Sequence, residues 1–161
     1  MGRYVRKQAK AWIKIADGKH KSAYVSDGAV KKIEKILKLM VHPDLLCSMY
    51  DGLEDYAWFL IIAVFCTKQK SDNRRFYTTA LLEIARKNFK TFNSAVIFII
   101  GMLTEPRFSR FFSVAPDYKL SSELRLAVRK IIKVSPLMVD RFKINRDMIT
   151  CLLNDIEYTP L

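Results

Sequence analysis

The sequence predicts an all-α domain, an irregular bundle of six or seven helices packed around two central apolar helices. Three observations carry this. Glycine and proline are scarce, five of each in 161 residues, which leaves little material for the turns of a β-sandwich. Half the residues are hydrophobic, enough for a core and too many for a disordered tail. Two apolar runs, 56–66 and 95–100, stand between capping residues and Gly or Pro stops. Both are well short of the ~20 residues that span a membrane, so both read as core helices.

The elements follow in chain order. Residues 1–25 form a basic N-terminal arm with two readings. Val5, Ala9, Trp12 and Ala16 recur at helical spacing, and Arg3, Lys7, Lys10 and Lys14 make a second stripe, which predicts a helix over 3–16. Asp17-Gly18 between alternating residues predicts instead a short β-hairpin within 11–25, pairing Trp12 with Ala23. Both readings place one aromatic among cations. Residues 26–161 then read as a single helical domain. Ser26 or Asp27 caps a helix over 29–41, stopped by His42-Pro43. The run 53–67 is apolar nearly all round, with Glu54 and Asp55 in a first turn that suits the helix dipole.

Ser71 or Asp72 would cap a helix over 73–89, with Phe76, Ala80, Leu81 and Ile84 inward and Arg74, Arg75, Arg86 and Lys87 outward. Asn93 opens the second buried helix, 94–103, ended near Gly101 and Pro106. Phe108, Phe111 and Phe112 fall on one side if 107–112 is helical. Ser121 and Ser122 start a basic amphipathic helix, and Ser135-Pro136 is a cap followed by proline at the first helical position. A final helix is expected from 145 to about 154.

The net charge of +12 says more about partners than about solubility. It is also blocked along the chain. Residues 1–21 carry seven Lys or Arg against Asp17 alone, whereas 41–67 carry four acids and no Lys or Arg. Residues 68–90 and 107–133 each return to seven basic against two acidic. A basic face and a smaller acidic one predict self-association as well as binding to an anion.

The search for chemistry is negative. The two histidines, His20 and His42, have no partners at metal-ligand spacing. No glycine-rich phosphate loop and no G-x-S-x-G elbow is present. Glu54 and Asp55 are adjacent and point apart on a helix. Cys47, Cys66 and Cys151 are too few and too irregular for a disulfide framework and suggest a reducing, intracellular compartment. Residues 1–21 lack the apolar core of a secretory signal, and Arg6 breaks the myristoylation pattern. The expectation is a protein that is not an enzyme and uses no cofactor or metal.

One stretch, 81–111, resembles the catalytic domain of Ras guanine-nucleotide exchange factors. Phe92, Asn93, Ser94, Gly101 and Pro106 carry the resemblance, without the helical hairpin that opens the nucleotide site in that family. It implies a helical adaptor or regulator as the alternative function. In size, charge and lack of a catalytic motif the chain is similar to small viral matrix and nucleocapsid-associated proteins. The leading expectation is therefore a basic structural protein that engages RNA or ribonucleoprotein, or an anionic membrane surface, and forms homo-oligomers. Its contact residues would be Arg3, Arg6, Lys7, Lys10, Lys14, Lys19 and Lys21, with Trp12 as anchor or stacking group. Arg74, Arg75, Arg125, Arg129 and Lys130 form a second tier.

Overall fold

The computed structural model describes residues 3–85 and 88–161. The chain is not all-α: helices take 50% of it and strands 15%, in two sheets. It divides into two compact units, 1–34 with 54–83, and 35–53 with 84–161.

In the first unit, α1 (Arg3–Ala16) takes the helical reading of the arm. Asp17-Gly18 is not a hairpin turn but the end of this helix. Gly18 lies at φ +73° and donates its N–H to the Ile15 carbonyl at 3.0 Å, while Lys19 N–H reaches the Lys14 carbonyl at 2.9 Å. These bonds satisfy carbonyls that a helix end leaves open, and glycine takes the left-handed step with no Cβ penalty. Strand β1 (Ala23–Val25) then pairs antiparallel with the distant β2 (Thr67–Gln69), in register Tyr24 to Lys68. Helix α2 (Asp27–Leu39) starts at the expected cap region, and the division between the units falls within it. Short α3 (Met49–Gly52) belongs to the second unit and is capped by Ser48, whose hydroxyl accepts from Asp51 N–H.

The apolar α4 (Asp55–Cys66) supplies the core of the first unit through Ala57, Ile61, Phe65 and Cys66. Burial pushes the Cys66 thiol up to about 11. Trp12 locks α1 onto this core. Its indole N–H donates to Thr67 Oγ1 at 3.1 Å, and its ring meets Phe59 edge-on at 5.1 Å.

The helix expected over 73–89 does not form. The backbone turns left-handed at Asn73, bridges Lys68 to Arg75, and continues irregularly through 85. Leu81 is 89% exposed, so the inward stripe drawn through Ala80 and Leu81 is wrong. Phe76-Tyr77-Thr78-Thr79 is β-branched and aromatic, a composition that favours extended backbone over a helix. The outward positions assigned to Arg86 and Lys87 lie outside the described residues.

The second unit is an α/β layer. Helix α5 (Lys90–Thr104) and helix α6 (Tyr118–Val134) pack together, and α6 also packs on a mixed four-stranded sheet. The sheet order is β3 (Arg110–Ser113), β6 (Ile156–Pro160), β5 (Ile149–Cys151), β4 (Phe142–Ile144). Strands β3 and β6 run parallel, which requires a crossover, and α6 lies in that connection. The other neighbours are antiparallel.

Two expectations fail here. The last helix, 145–154, is instead the β5–β6 hairpin, whose alternate residues Ile149, Cys151, Ile156, Tyr158 and Pro160 are buried. The 107–112 stretch is no helix either. Phe108 is left-handed and exposed, and Phe111 and Phe112 point to opposite faces of β3. Phe111 packs on Phe98, and its ring comes so close to α5 that a Cβ on Gly101 would lie 2.7 Å from it. Asn154 closes the end of α5, donating to the Met102 carbonyl at 2.8 Å. Short α7 (Pro136–Val139) begins with the expected proline, and the Ser135 hydroxyl accepts from Val41 N–H. Among the described residues, no helix is long and apolar enough to cross a membrane.

Candidate functional site

Among the described residues, two places combine exposed cations with a helix free of first-turn acids. The first is α1. Arg3, Arg6, Lys7, Lys10 and Lys14 line one open concavity of about 760 Å³ along the helix, with Ala11 between them. All five are exposed, and no acid stands in the first turn. This arrangement works against the helix. Like charges three or four residues apart cost ~0.2–0.5 kcal/mol per pair, and cations in the first turn oppose the dipole. A stripe assembled at such a cost suits an anionic partner that relieves it. From Arg3 to Lys14 the stripe runs ~16 Å, about the axial advance of five phosphates of one duplex strand.

The remaining basic residues differ among themselves in their local surroundings. Lys19 pairs with Asp17 at 3.0 Å, and Lys21 is exposed. Arg74 lies 3.6 Å from Asp72. Arg75 places its guanidinium over the Phe65 ring at 4.9 Å, and burial lowers its pKa. Arg125 and Arg129 are half-buried on α6, and Lys130 pairs with Asp44 at 2.7 Å. Trp12 is tied into its own unit, its N–H bonded to Thr67 and its ring against Phe59.

The second place is the start of α5. Phe89 is the residue before the helix and sits at φ 53°, ψ 28°, the left-handed conformation. The Phe89 side chain offers the helix no cap, and no acid stands in its first turn. Lys90 and Thr91, its first two residues, are exposed. A helix leaves its first N–H groups without internal partners, and these, with the dipole, favour an anion. Asn88 donates through Nδ2 to the Ala85 carbonyl at 3.3 Å.

Residues 84–91 read Ile-Ala-Arg-Lys-Asn-Phe-Lys-Thr. The phosphate loop G-x-x-x-x-G-K-[ST] ends in the same Lys and Thr, directly at a helix start. Both glycine positions differ, being Ile84 and Phe89 here. That substitution hid the segment from a search for glycine-rich loops. The second glycine of the pattern suits a positive φ, and Phe89 holds a positive φ without being glycine. Lys90-Thr91 opening an apolar helix is the signal a residue-type search could have used. The same helix accounts for the stretch likened to exchange factors: Asn93 is buried within α5, and Gly101 is small because Phe111 packs against it.

No family model matches the chain, and neither does any curated protein. Among solved structures, the large terminase of bacteriophage HK97 is similar in fold. The two superpose with a TM-score of 0.67 at 20% identity, over 81% of this chain and 26% of that one. The chain thus spans about a quarter of the terminase's length. The likeness confirms an α/β fold over the all-α bundle expected from composition. It also overturns the exclusion of an enzyme, because that exclusion rested on missing motifs and the fold is one that a terminase uses. The matrix-like, all-helical profile loses its basis with it.

Proposed function

We propose that this chain is the nucleoside-triphosphate-binding part of a DNA-handling protein of the large-terminase kind. The observation that carries the proposal is the left-handed Phe89 directly ahead of Lys90-Thr91 at the start of α5. In this reading the backbone N–H groups of the first turn cradle the phosphates, and the Lys90 ammonium reaches the terminal ones. Magnesium accompanies such a nucleotide and prefers oxygen donors. The exposed Thr91 hydroxyl is the group at this turn that fits it. When bound, the metal neutralises charge on the phosphates. The chain's own contribution is to bind and orient the triphosphate for phosphoryl transfer.

The fold likeness to a terminase supports nucleic acid as the macromolecular partner, and the α1 stripe is the surface assigned to it. Arg3, Arg6, Lys7, Lys10 and Lys14 neutralise backbone phosphates, which contact every sequence alike. Duplex DNA is the favoured ligand. RNA, anionic vesicles and copies of the chain through its acidic 41–67 segment are the competitors to be scored in the same assay.

Titration of a fluorescent ATP analogue with magnesium, on the wild-type chain and on Lys90→Ala, tests the nucleotide site. Saturable binding that Lys90→Ala weakens is the expected result. Equal binding by both proteins would remove Lys90 from the site and the proposal with it.

A further inference from the structure

The start of α5 is held from behind by an uncharged histidine. His42 is only 7% exposed, and its ring lies against Phe92, the third residue of α5, with centroids 4.7 Å apart. Phe92 in turn meets the Phe89 ring edge-on at 6.5 Å. On its other side His42 organises a tight loop. Its Nδ1 accepts two backbone N–H groups, from Asp44 at 3.2 Å and Leu45 at 3.1 Å. The His42 backbone N–H donates to the Cys47 carbonyl at 2.8 Å, and the His42 backbone carbonyl accepts from Leu46 N–H. Gly52 closes against the ring so tightly that a Cβ there would lie 3.1 Å from His42 Cδ2 and from Cys47 Sγ.

An Nδ1 that accepts two N–H donors carries no proton. Protonation turns this acceptor into a donor facing two donors, and leaves an imidazolium among apolar groups. The charged or titratable groups around the ring are Asp44 and Cys47 on its own loop and Lys130 on α6, while α5 presents Phe92. Asp44 favours the charged ring and Lys130 opposes it, and the two are themselves paired at 2.7 Å. Burial is the largest influence and lowers the His42 pKa.

We infer that His42 is a positioning residue for the phosphate-binding turn. In its neutral form it fixes Phe92, and through it Phe89 and Lys90. In its protonated form it releases the 42–52 loop and loosens that turn. The inference rests on the proposed nucleotide site. It predicts that nucleotide affinity falls on mild acidification, by up to about tenfold for each pH unit below the His42 pKa.

The test is binding of ATP with magnesium between pH 8 and 5.5, on wild type, His42→Asn and His20→Asn. The amide that His42→Asn introduces keeps an acceptor near the Nδ1 position and does not titrate. The expected result is a fall in wild type and in His20→Asn, beyond any that His42→Asn shows. The same fall in His42→Asn would overturn the inference and leave the nucleotide site standing. No ATP binding at any pH would overturn the nucleotide site and this inference together. Should His42→Asn fail to fold, NMR of the wild-type chain decides. The Asp44 and Leu45 amides and the Phe92 ring must shift with the His42 midpoint, and a Phe92 ring that ignores it sinks the idea.

Discussion

The α1 stripe and the start of α5 both offer positive charge to an anion, and they do so by opposite means. On α1 the charge is in side chains. Five exposed cations repeat at helical spacing, so the periodicity of the sequence displays the surface directly. At α5 the capacity is mostly in the backbone. One left-handed residue turns the chain into a helix whose first turn carries no acid, and Lys90 adds a full charge there. Charge counting along the sequence finds the first arrangement and misses the second.

The two sites differ in what breaks them. Replacing Arg3, Arg6, Lys7 and Lys10 together by Gln should weaken duplex DNA binding by roughly two to three orders of magnitude near 0.1 M salt. It should also flatten the slope of log affinity against log salt by about 3 to 4. Fluorescence anisotropy across a salt series reads both quantities. An unchanged slope would remove α1 from the interface. Lys90→Ala should cost one charge-assisted contact, ~1.5–3 kcal/mol, or about 10- to 150-fold in ATP affinity, with DNA affinity at low nucleotide left within about twofold. A comparable loss of DNA binding would merge the two sites into one.

Smaller effects probe how the α5 turn is held. Gly101→Ala puts a methyl group 2.7 Å from the Phe111 ring, so stability should drop by ~1–3 kcal/mol, read as a lower denaturation midpoint. No drop would mean that the β3 contact with α5 is loose. Phe89→Gly should do the opposite. It removes a left-handed penalty of ~1–2 kcal/mol and adds ~0.5–1 kcal/mol of unfolded-chain entropy, for a net gain of at most ~1.5 kcal/mol. Phe89→Val, which resists positive φ, should lose stability in the same thermal melt. Across pH, His42 has a folded-state pKa below its usual 6.5, so the unfolded chain binds the proton first. Its stabilising contribution is complete above that value and is lost as pH falls through the folded pKa. Denaturant midpoints at pH 7.5 and 5.5 check the sign.

Part of this was legible in the sequence. The helical stripe of α1, the apolar α4, the proline start of α7 and the α6 face all follow from periodicity and residue preference, which are local. The sheet was not legible, because its pairings are not local. Arg110–Ser113 finds its partner in Ile156–Pro160, and each strand has only three to five residues, too short for alternation to outweigh helical spacing. At 145–154 a short Leu- and Asn-rich segment suits either a helix or a hairpin, and burial of Ile149 and Cys151 on one face decides for the strand. The start of α5 escaped for a different reason. A positive φ at Phe89 is a property of the fold around it and not of phenylalanine.

Backbone amide resonances of the ¹⁵N-labelled chain, followed as ATP and magnesium are added, test the phosphate site at the start of α5 most directly. The amides of Phe89, Lys90, Thr91 and Phe92 should move first and furthest, saturably, and inorganic triphosphate should move the same set. Perturbation confined to the α1 stripe, or no perturbation at all, would contradict a phosphate site at the start of α5.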